Sequence, residues 1–357
     1  MDAAELKEYI YDNEQIELIL EELGCKHIKH RKTQGGDEYF SCTFPDGDNK
    51  NGIWIFSNEY LNAKSQSRPN AIKNPYGNPN LIDVVCYIKD LYFSGAIKWI
   101  CECLGLDYYK ESAEEIPESL KWTKLITGMK EKDEDEELEK LKPISEKILT
   151  YYYSYCNDIF YNEGIDYFTQ REFEIGYDIF TDRITIPIRD ELSTLVGVKG
   201  RLIENDLDEC KYIYLEPCPK SRILYGLYKT LSYIKAEKKV IVVESEKSVL
   251  KLWSKGIKNV IAIGGHDLSK VQVEKLIRLE VEEIILCYDE DVFRDEENGK
   301  IDKKEYLNEV QKFIEQQKVS VMVDLNGEIL NKKESPADNI EKFEILFERR
   351  KVLQKGC

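Results

Sequence analysis

The sequence predicts an α/β fold with α+β parts, its C-terminal half centred on a parallel sheet. Two observations predict this. First, three apolar runs, 240–243, 260–263 and 284–288, alternate with helical stretches over 247–254 and 268–279. Strand, helix, strand, helix, strand winds right-handedly into a parallel sheet. Second, the outer runs end in acid. Glu244 closes one, and Asp289, Glu290 and Asp291 close the other. Ligands of open sheets gather at the carboxyl ends of the strands, so carboxylates 45 residues apart in sequence (289 − 244) are expected to face one pocket. Two carboxylates ~4 Å apart repel by roughly 4 kcal/mol at an effective dielectric near 20. A divalent cation reverses that repulsion. Oxygen ligands with no His or Cys pattern around them suit Mg²⁺ or Mn²⁺. An acid at one strand end is commonly a solvated side chain; a Glu and an Asp-x-Asp closing two strands of one unit is the sharper signal.

The other elements follow in order. Residues 5–24 read as one helix, with Ile16, Leu18, Ile19 and Leu23 on its apolar face and Gly24 as its stop. Short strands are expected at 39–44 and 53–56, around the turn Pro45-Asp46-Gly47-Asp48. Residues 62–80 read as loop and 81–104 as an amphipathic helix broken near Tyr92-Phe93-Ser94. Helix resumes over 145–156 and around 165–171. Strands are expected at 183–188, 194–198 and 212–214, with a further strand at 319–323 and a last helix over 340–352. No internal repeat is visible.

Composition bounds the function. The chain has 357 residues, long enough for two or three domains with their own cores. No apolar run approaches the ~18 residues of a membrane span. The first 22 residues lack the basic n-region of a signal peptide. Ten Cys are scattered without a Cys-x-x-Cys pair, and with only three His no zinc set has the usual spacing. Cys86, Cys101 and Cys287 lie in apolar context and read as core. A reducing cytoplasm is the expected compartment. The net charge of −17 argues at first against nucleic acid, yet much of the acid lies in 111–118 and 131–139. By contrast Arg201, Lys211, Lys220, Arg222 and Lys229 punctuate a stretch rich in Tyr and Leu, and distribution outweighs net charge.

From Glu163 onward the chain resembles the catalytic core of bacterial and phage DnaG-type primases, which contains a TOPRIM fold. The resemblance runs through 167–171, Ile175-Gly176-Tyr177, Arg183-Ile184-Thr185-Ile186-Pro187-Ile188, 196–201, Lys211-Tyr212, Leu224-Tyr225-Gly226-Leu227, 240–250 and 288–291, in the family's order. The first 106 residues look like the family's zinc-binding domain, with Cys42-Thr43-Phe44-Pro45 where Cys-Pro-Phe-His is common. Pro45 replaces the His and residues 60–73 hold no Cys, so no zinc is expected. Glu-Gly becomes Glu244-Ser245, an Asp becomes Ser248, and a polar insertion at 294–302 follows Asp291. The family's long C-terminal helicase-binding domain is not matched.

The resemblance implies five segments: a degenerate zinc-binding-like domain, small, α+β and zinc-ribbon-like (1–108), an acidic linker (109–142), a mixed α+β primase subdomain (143–237), a TOPRIM parallel-sheet domain (238–330) and a C-terminal helical segment (331–357). It implies template-directed synthesis of short RNA primers on single-stranded DNA by metal-dependent nucleotidyl transfer, in phage or mobile-element replication. The partners would be the template, ribonucleoside triphosphates and a replicative helicase, with no membrane. Asp289 and Asp291 would hold Mg²⁺ or Mn²⁺. Glu244 would be a further ligand or a general base. Glu290 would point the other way. Asp338 is a looser match, and a loop Asp before a helix is more often a cap. Arg201, Lys211, Lys220 and Arg222 would hold template or triphosphate phosphates. Tyr212 is a candidate for base stacking; Tyr225 reads as core. His266 is expected just before a helix capped by Asp267. The alternatives are an accessory protein that binds single-stranded DNA without synthesis, favoured by Ser245 and Ser248, and a TOPRIM nuclease.

Overall fold

A computed structural model of the protein describes residues 2–69, 71–106, 108, 141–203, 210–292, 309–310, 312–313 and 318–353. The acidic linker and the polar insertion after Asp291 lie almost wholly outside the described residues.

Three sheets organise the described residues. The central one has the order β10-β9-β11-β12-β13, built from β9 (Lys239–Val243), β10 (Val260–Ala262), β11 (Glu283–Leu286), β12 (Lys318–Val321) and β13 (Lys351–Leu353). Its first four strands are parallel and β13 is antiparallel to β12. Continuous apolar runs make these strands because both faces are covered, as in parallel sheets generally. Period-2 alternation sorts their side chains. Val240, Val242, Ile284 and Leu286 enter one core cluster, while Ile241, Val243, Ile285 and Cys287 enter the other.

The first cluster joins the sheet to the N-terminal region. There β1 (Lys26–Lys32), β2 (Glu38–Thr43), β3 (Ile53–Phe56) and β4 (Ala63–Ser65) form an antiparallel sheet. Around it lie α1 (Ala3–Asp12), α2 (Ile16–Glu22), α3 (Leu81–Lys89) and α4 (Phe93–Cys103). The second cluster joins the sheet to β5 (Gly176–Asp178), β6 (Arg183–Arg189), β7 (Leu195–Leu202) and β8 (Tyr212–Glu216), again antiparallel in sequence order. Helices α5 (Asp158–Asn162) and α6 (Tyr167–Glu172) precede this third sheet, and α7 (Leu227–Glu237) leads from it into β9. Within the central unit α8 (Glu246–Ser254) follows β9 and α9 (Lys270–Ile277) follows β10.

Several expectations need correction. The helix expected over 5–24 is two, with a break at Glu14, whose φ is +54°. Strand β1 is unexpected: its seven residues are all at least partly exposed, so no apolar alternation marks it. Residues 145–156 are not a helix. A 3-10 turn spans Glu146–Tyr151, and Tyr153 then pairs with Tyr177 as an isolated bridge. The aromatic run favours extended backbone, and Arg189, bonded to both Glu146 and Glu174 at 2.7 Å, pins the turn to β6. The last helix, α10 (Ile340–Glu348), stops short of Val352, which lies in β13. Cys42 is fully buried, and Cys25 and Cys42 share a thiol hydrogen bond that keeps Cys42 protonated. Among the described residues no group of three or more His, Cys, Asp or Glu could hold a metal, and no helix is long and apolar enough to cross a membrane.

The N-terminal region is fixed to the central sheet by charge as well as by apolar packing. Arg278 follows α9; it bonds Asp83, donates to the Lys73 carbonyl at 2.7 Å and lies 5.5 Å from the Phe93 ring centroid. Asp83 also closes the capping box of α3 and is almost wholly buried. Burial raises the Asp83 pKa against the pull of Arg278. Removing one partner of a buried pair leaves an uncompensated charge. Arg278→Ala is therefore expected to cost about 2–4 kcal/mol in urea unfolding, the partial exposure of Arg278 lowering the figure. A change within about 0.5 kcal/mol would show that apolar contact alone holds this junction.

Candidate active site

The register of β9 and β11 builds the site. Val242 pairs with Leu286, Cys287 N donates to Val242 O at 2.8 Å, and Asp289 N donates to Glu244 Oε1 at 2.7 Å. The two acidic strand ends therefore meet at one end of the sheet, as the parallel arrangement predicts. The Glu244 carbonyl accepts from Gly264 N at 2.9 Å, which draws in the turn after β10. Gly264 has φ +68°, a left-handed conformation that favours Gly. Glu244 Oε2 lies 3.1 Å from His266 Nδ1, whose ring is almost fully exposed. Ser269, not Asp267, caps the following helix.

Ser245 does not strain the chain. Its φ of −109° and ψ of 150° are extended, and its hydroxyl caps α8 by accepting from Ser248 N. The hydroxyls of Ser245 and Ser248 lie 2.9 Å apart.

Burial first, then the charge of Asp289, pushes the Glu244 carboxyl up to about 7, against the Asp289 amide and His266. Burial also raises the Asp289 carboxyl, which is further opposed by Asp338 and Asp291 and relieved by Ser335 and Lys247. Asp291 stands exposed in the turn that follows, where Val292 N bonds Asp289 O. Glu290 turns to the 331–334 loop, accepting from Lys333 N at 3.2 Å. Asp338 pairs with Lys251 at 2.5 Å and closes a capping box with Ser335. Helix α10 is capped by Asn339. Partly dehydrated carboxylates with raised pKa values and all-oxygen donors fit a hard divalent cation. As they stand they do not yet enclose one, because Asp291 faces solvent.

The basic candidates separate. Lys220 is exposed and reaches the carboxyl end of the sheet: a Cβ on Gly265 would stand 3.6 Å from its Nζ. Arg222 is half-buried, and its carbonyl accepts from Lys275 at 2.7 Å. Lys211 is exposed just before β8 of the third sheet. Arg201 is buried on β7 and bonded to Glu163. Tyr212 lies under the Lys199 ammonium, which is 5.1 Å from its ring centroid, and Tyr225 is core. Lys247, in the first turn of α8, is a further basic residue that the sequence reading passes over. It lies 3.3 Å from Glu163 Oε2, and its charge bears on both Asp289 and Asp338. Its place three residues after Glu244 at a helix start is the available signal.

The buried acid has a measurable consequence. Between the ordinary Glu value of 4.5 and about 7 the folded protein keeps a Glu244 proton that the unfolded chain has lost, so stability falls as pH rises through that window. In chelator-treated protein, wild type should lose roughly 2–3 kcal/mol more than Glu244→Gln across this range, and Mg²⁺ should restore much of it. Parallel pH profiles for the two proteins would contradict the buried, repelled carboxyl.

Comparison with known proteins finds two domain families in the chain. Residues 146–231 match the DNA primase catalytic core, N-terminal domain, and residues 238–311 match the Toprim domain. The SPbeta prophage-derived uncharacterized protein YorJ of Bacillus subtilis is 33% identical over 236 residues, 60% of this chain and 61% of that protein. The DNA primase of Aquifex aeolicus is 37% identical over 120 residues, 32% of this chain and 23% of the primase. The crystal structure of the Aquifex aeolicus primase zinc-binding and RNA polymerase domains aligns with a TM-score of 0.48 and 20% identity, covering 99% of this chain and 87% of that one. The chain thus spans about three fifths of the prophage relative and under a quarter of that primase. With both domain matches in series, the chain is similar to the catalytic core of DnaG-type primases over residues 146–231 and to the Toprim domain over residues 238–311.

Proposed function

We propose that the chain synthesises short RNA primers on single-stranded DNA by metal-dependent nucleotidyl transfer, in the replication of a phage or other mobile element. The observation that carries this reading is the hydrogen bond from Asp289 N to Glu244 Oε1, which joins two acidic strand ends beside Lys247 and Lys220. The prophage origin of one relative supports the replicative setting, and a related primase catalytic domain has been solved bound to single-stranded DNA. The proposed division of labour keeps the segments 1–108, 143–237 and 238–330, with 331–353 returning a strand and helix to the Toprim sheet.

Asp289 and Asp291 are the proposed holders of Mg²⁺ or Mn²⁺, with Glu244 completing the set. Bound there, the ion would neutralise the triphosphate and lower the pKa of the attacking 3′-hydroxyl. Glu244, titrating near neutrality, is suited to accept that proton at a carboxylate oxygen. Asp338 is proposed to keep Lys251 in place rather than to bind metal. Lys220, Lys211 and Arg222 are proposed to draw in phosphates, and a replicative helicase is the proposed protein partner.

A second reading has its own support. Asp291 faces solvent rather than joining Glu244 and Asp289, which suits an accessory protein that binds single-stranded DNA without synthesis. A labelled-NTP primer assay separates the two. Asp289→Asn, Asp291→Asn and Glu244→Gln should each retain the fold and DNA binding while synthesis falls by roughly 10²-fold or more. A wild type that makes no primer with any template or metal supports the accessory reading, and one that cuts DNA supports a nuclease.

A further inference from the structure

We propose that Glu163 is an internal stand-in for a phosphate group: its carboxylate occupies an anion site formed by Arg201 and Lys247, and a phosphate-bearing ligand must displace it. The inference deepens the proposed function by adding a guard to its site. The anion site itself rests on geometry alone.

Three elements build the site. Glu163 caps the C-terminus of α5, immediately before Gly164 at φ +93°. Arg201 comes from β7 and Lys247 from the first turn of α8. One Glu163 oxygen bonds Arg201 Nη2, and the other lies 3.3 Å from Lys247 Nζ. The carboxylate therefore bridges a cation of the primase subdomain and a cation of the Toprim domain.

The fit is incomplete in a telling way. Arg201 is 5% exposed, yet its Nε and Nη1 make no hydrogen bond among the described residues. The Tyr212 hydroxyl is within hydrogen-bonding reach of the guanidinium, but as a neutral partner it does not balance the charge. Glu163 Oε2 is also buried, and its partner is the Lys247 ammonium 3.3 Å away. A guanidinium presents a fork of donors that one carboxylate oxygen does not fill, and phosphate geometry suits that fork. Two cations face one carboxylate, so the trio keeps a net positive charge. Lys247 also acts on Asp289 and Asp338, which sets the trio beside the proposed metal carboxylates. Glu163 and Lys247 side chains are 27% and 23% exposed, so the trio borders solvent on their side, while Arg201 lies behind them.

The competing account is a plain salt bridge that ties two subdomains. The tests use the full chain in chelator and read binding, not synthesis, so a protein that makes no primer still answers the question. Inorganic tripolyphosphate and a fluorescent oligo-dT strand serve as probes, and they distinguish a triphosphate site from a template site. Glu163→Gln should tighten at least one probe by roughly fivefold to tenfold. For the oligonucleotide arm, the salt dependence should steepen by roughly 0.7 for each additional phosphate that the protein neutralises. Lys247→Ala should reduce that tightening. Glu344→Gln, on the exposed side of α10, removes the same charge elsewhere and should leave both affinities unchanged. Should Glu163→Gln fail to fold, Glu163→Asp decides, its shorter arm releasing one cation. Unchanged or weaker binding of both probes in a folded Glu163 variant would overturn the proposal, as would failure of both variants to fold, since Glu163 would then be a structural bridge.

Discussion

The site depends on one constraint, the parallel register between β9 and β11. Once Val242 lies opposite Leu286, the chain continues past each strand and Asp289 N meets the Glu244 carboxylate. A slip of one residue would turn every side chain of the strand to the opposite core. Here both cores are occupied, one by the N-terminal region and one by the primase subdomain, so the register is specified from both sides. The same packing that stabilises the sheet brings like charges together and withdraws them from water. The raised carboxyls of Glu244 and Asp289 are the electrostatic cost of that position.

The junction between the two matched domains is similarly over-determined. Tyr225 and Ala262 exchange backbone hydrogen bonds, which adds a short extended piece of the primase subdomain to the edge at β10. Gln272 is buried and donates to the carbonyls of Lys220, Ile223 and Ile263. Lys199 and Glu246 pair at 2.7 Å across the same seam, with Glu246 nearly inaccessible. Lys220 thus sits on a segment held by backbone contacts. Its ammonium is carried to the sheet's carboxyl end by a fixed scaffold.

Much of this is legible in the residues, and the misses have physical causes. The three apolar runs and their acidic ends report a parallel sheet directly, because buried strands need no polar alternation. Ser245 stands where the family has Gly, yet the backbone there is extended and Ser supplies a helix cap that Gly lacks. Strand β1 escapes a pattern search because its residues are largely basic and at least partly exposed, as in an edge strand protected by charge. The tyrosine-rich stretch after Ser145 reads as helix, but its fixing contact comes from Arg189, which lies 43 residues away from Glu146. The Glu163–Arg201–Lys247 trio likewise joins three distant elements. Nothing in local sequence pattern marks such a meeting.

The central claim is that two acidic strand ends, held by one register, form a single divalent-cation site. Crystals grown in chelator, soaked in Mn²⁺ and measured at the manganese absorption edge test it most directly. The account predicts an anomalous peak within bonding distance of Asp289 and Asp291, with the exposed Asp291 side chain turned inward and Glu244 beside the ion. A peak seated elsewhere, or none at Mn²⁺ concentrations that support synthesis, would contradict it.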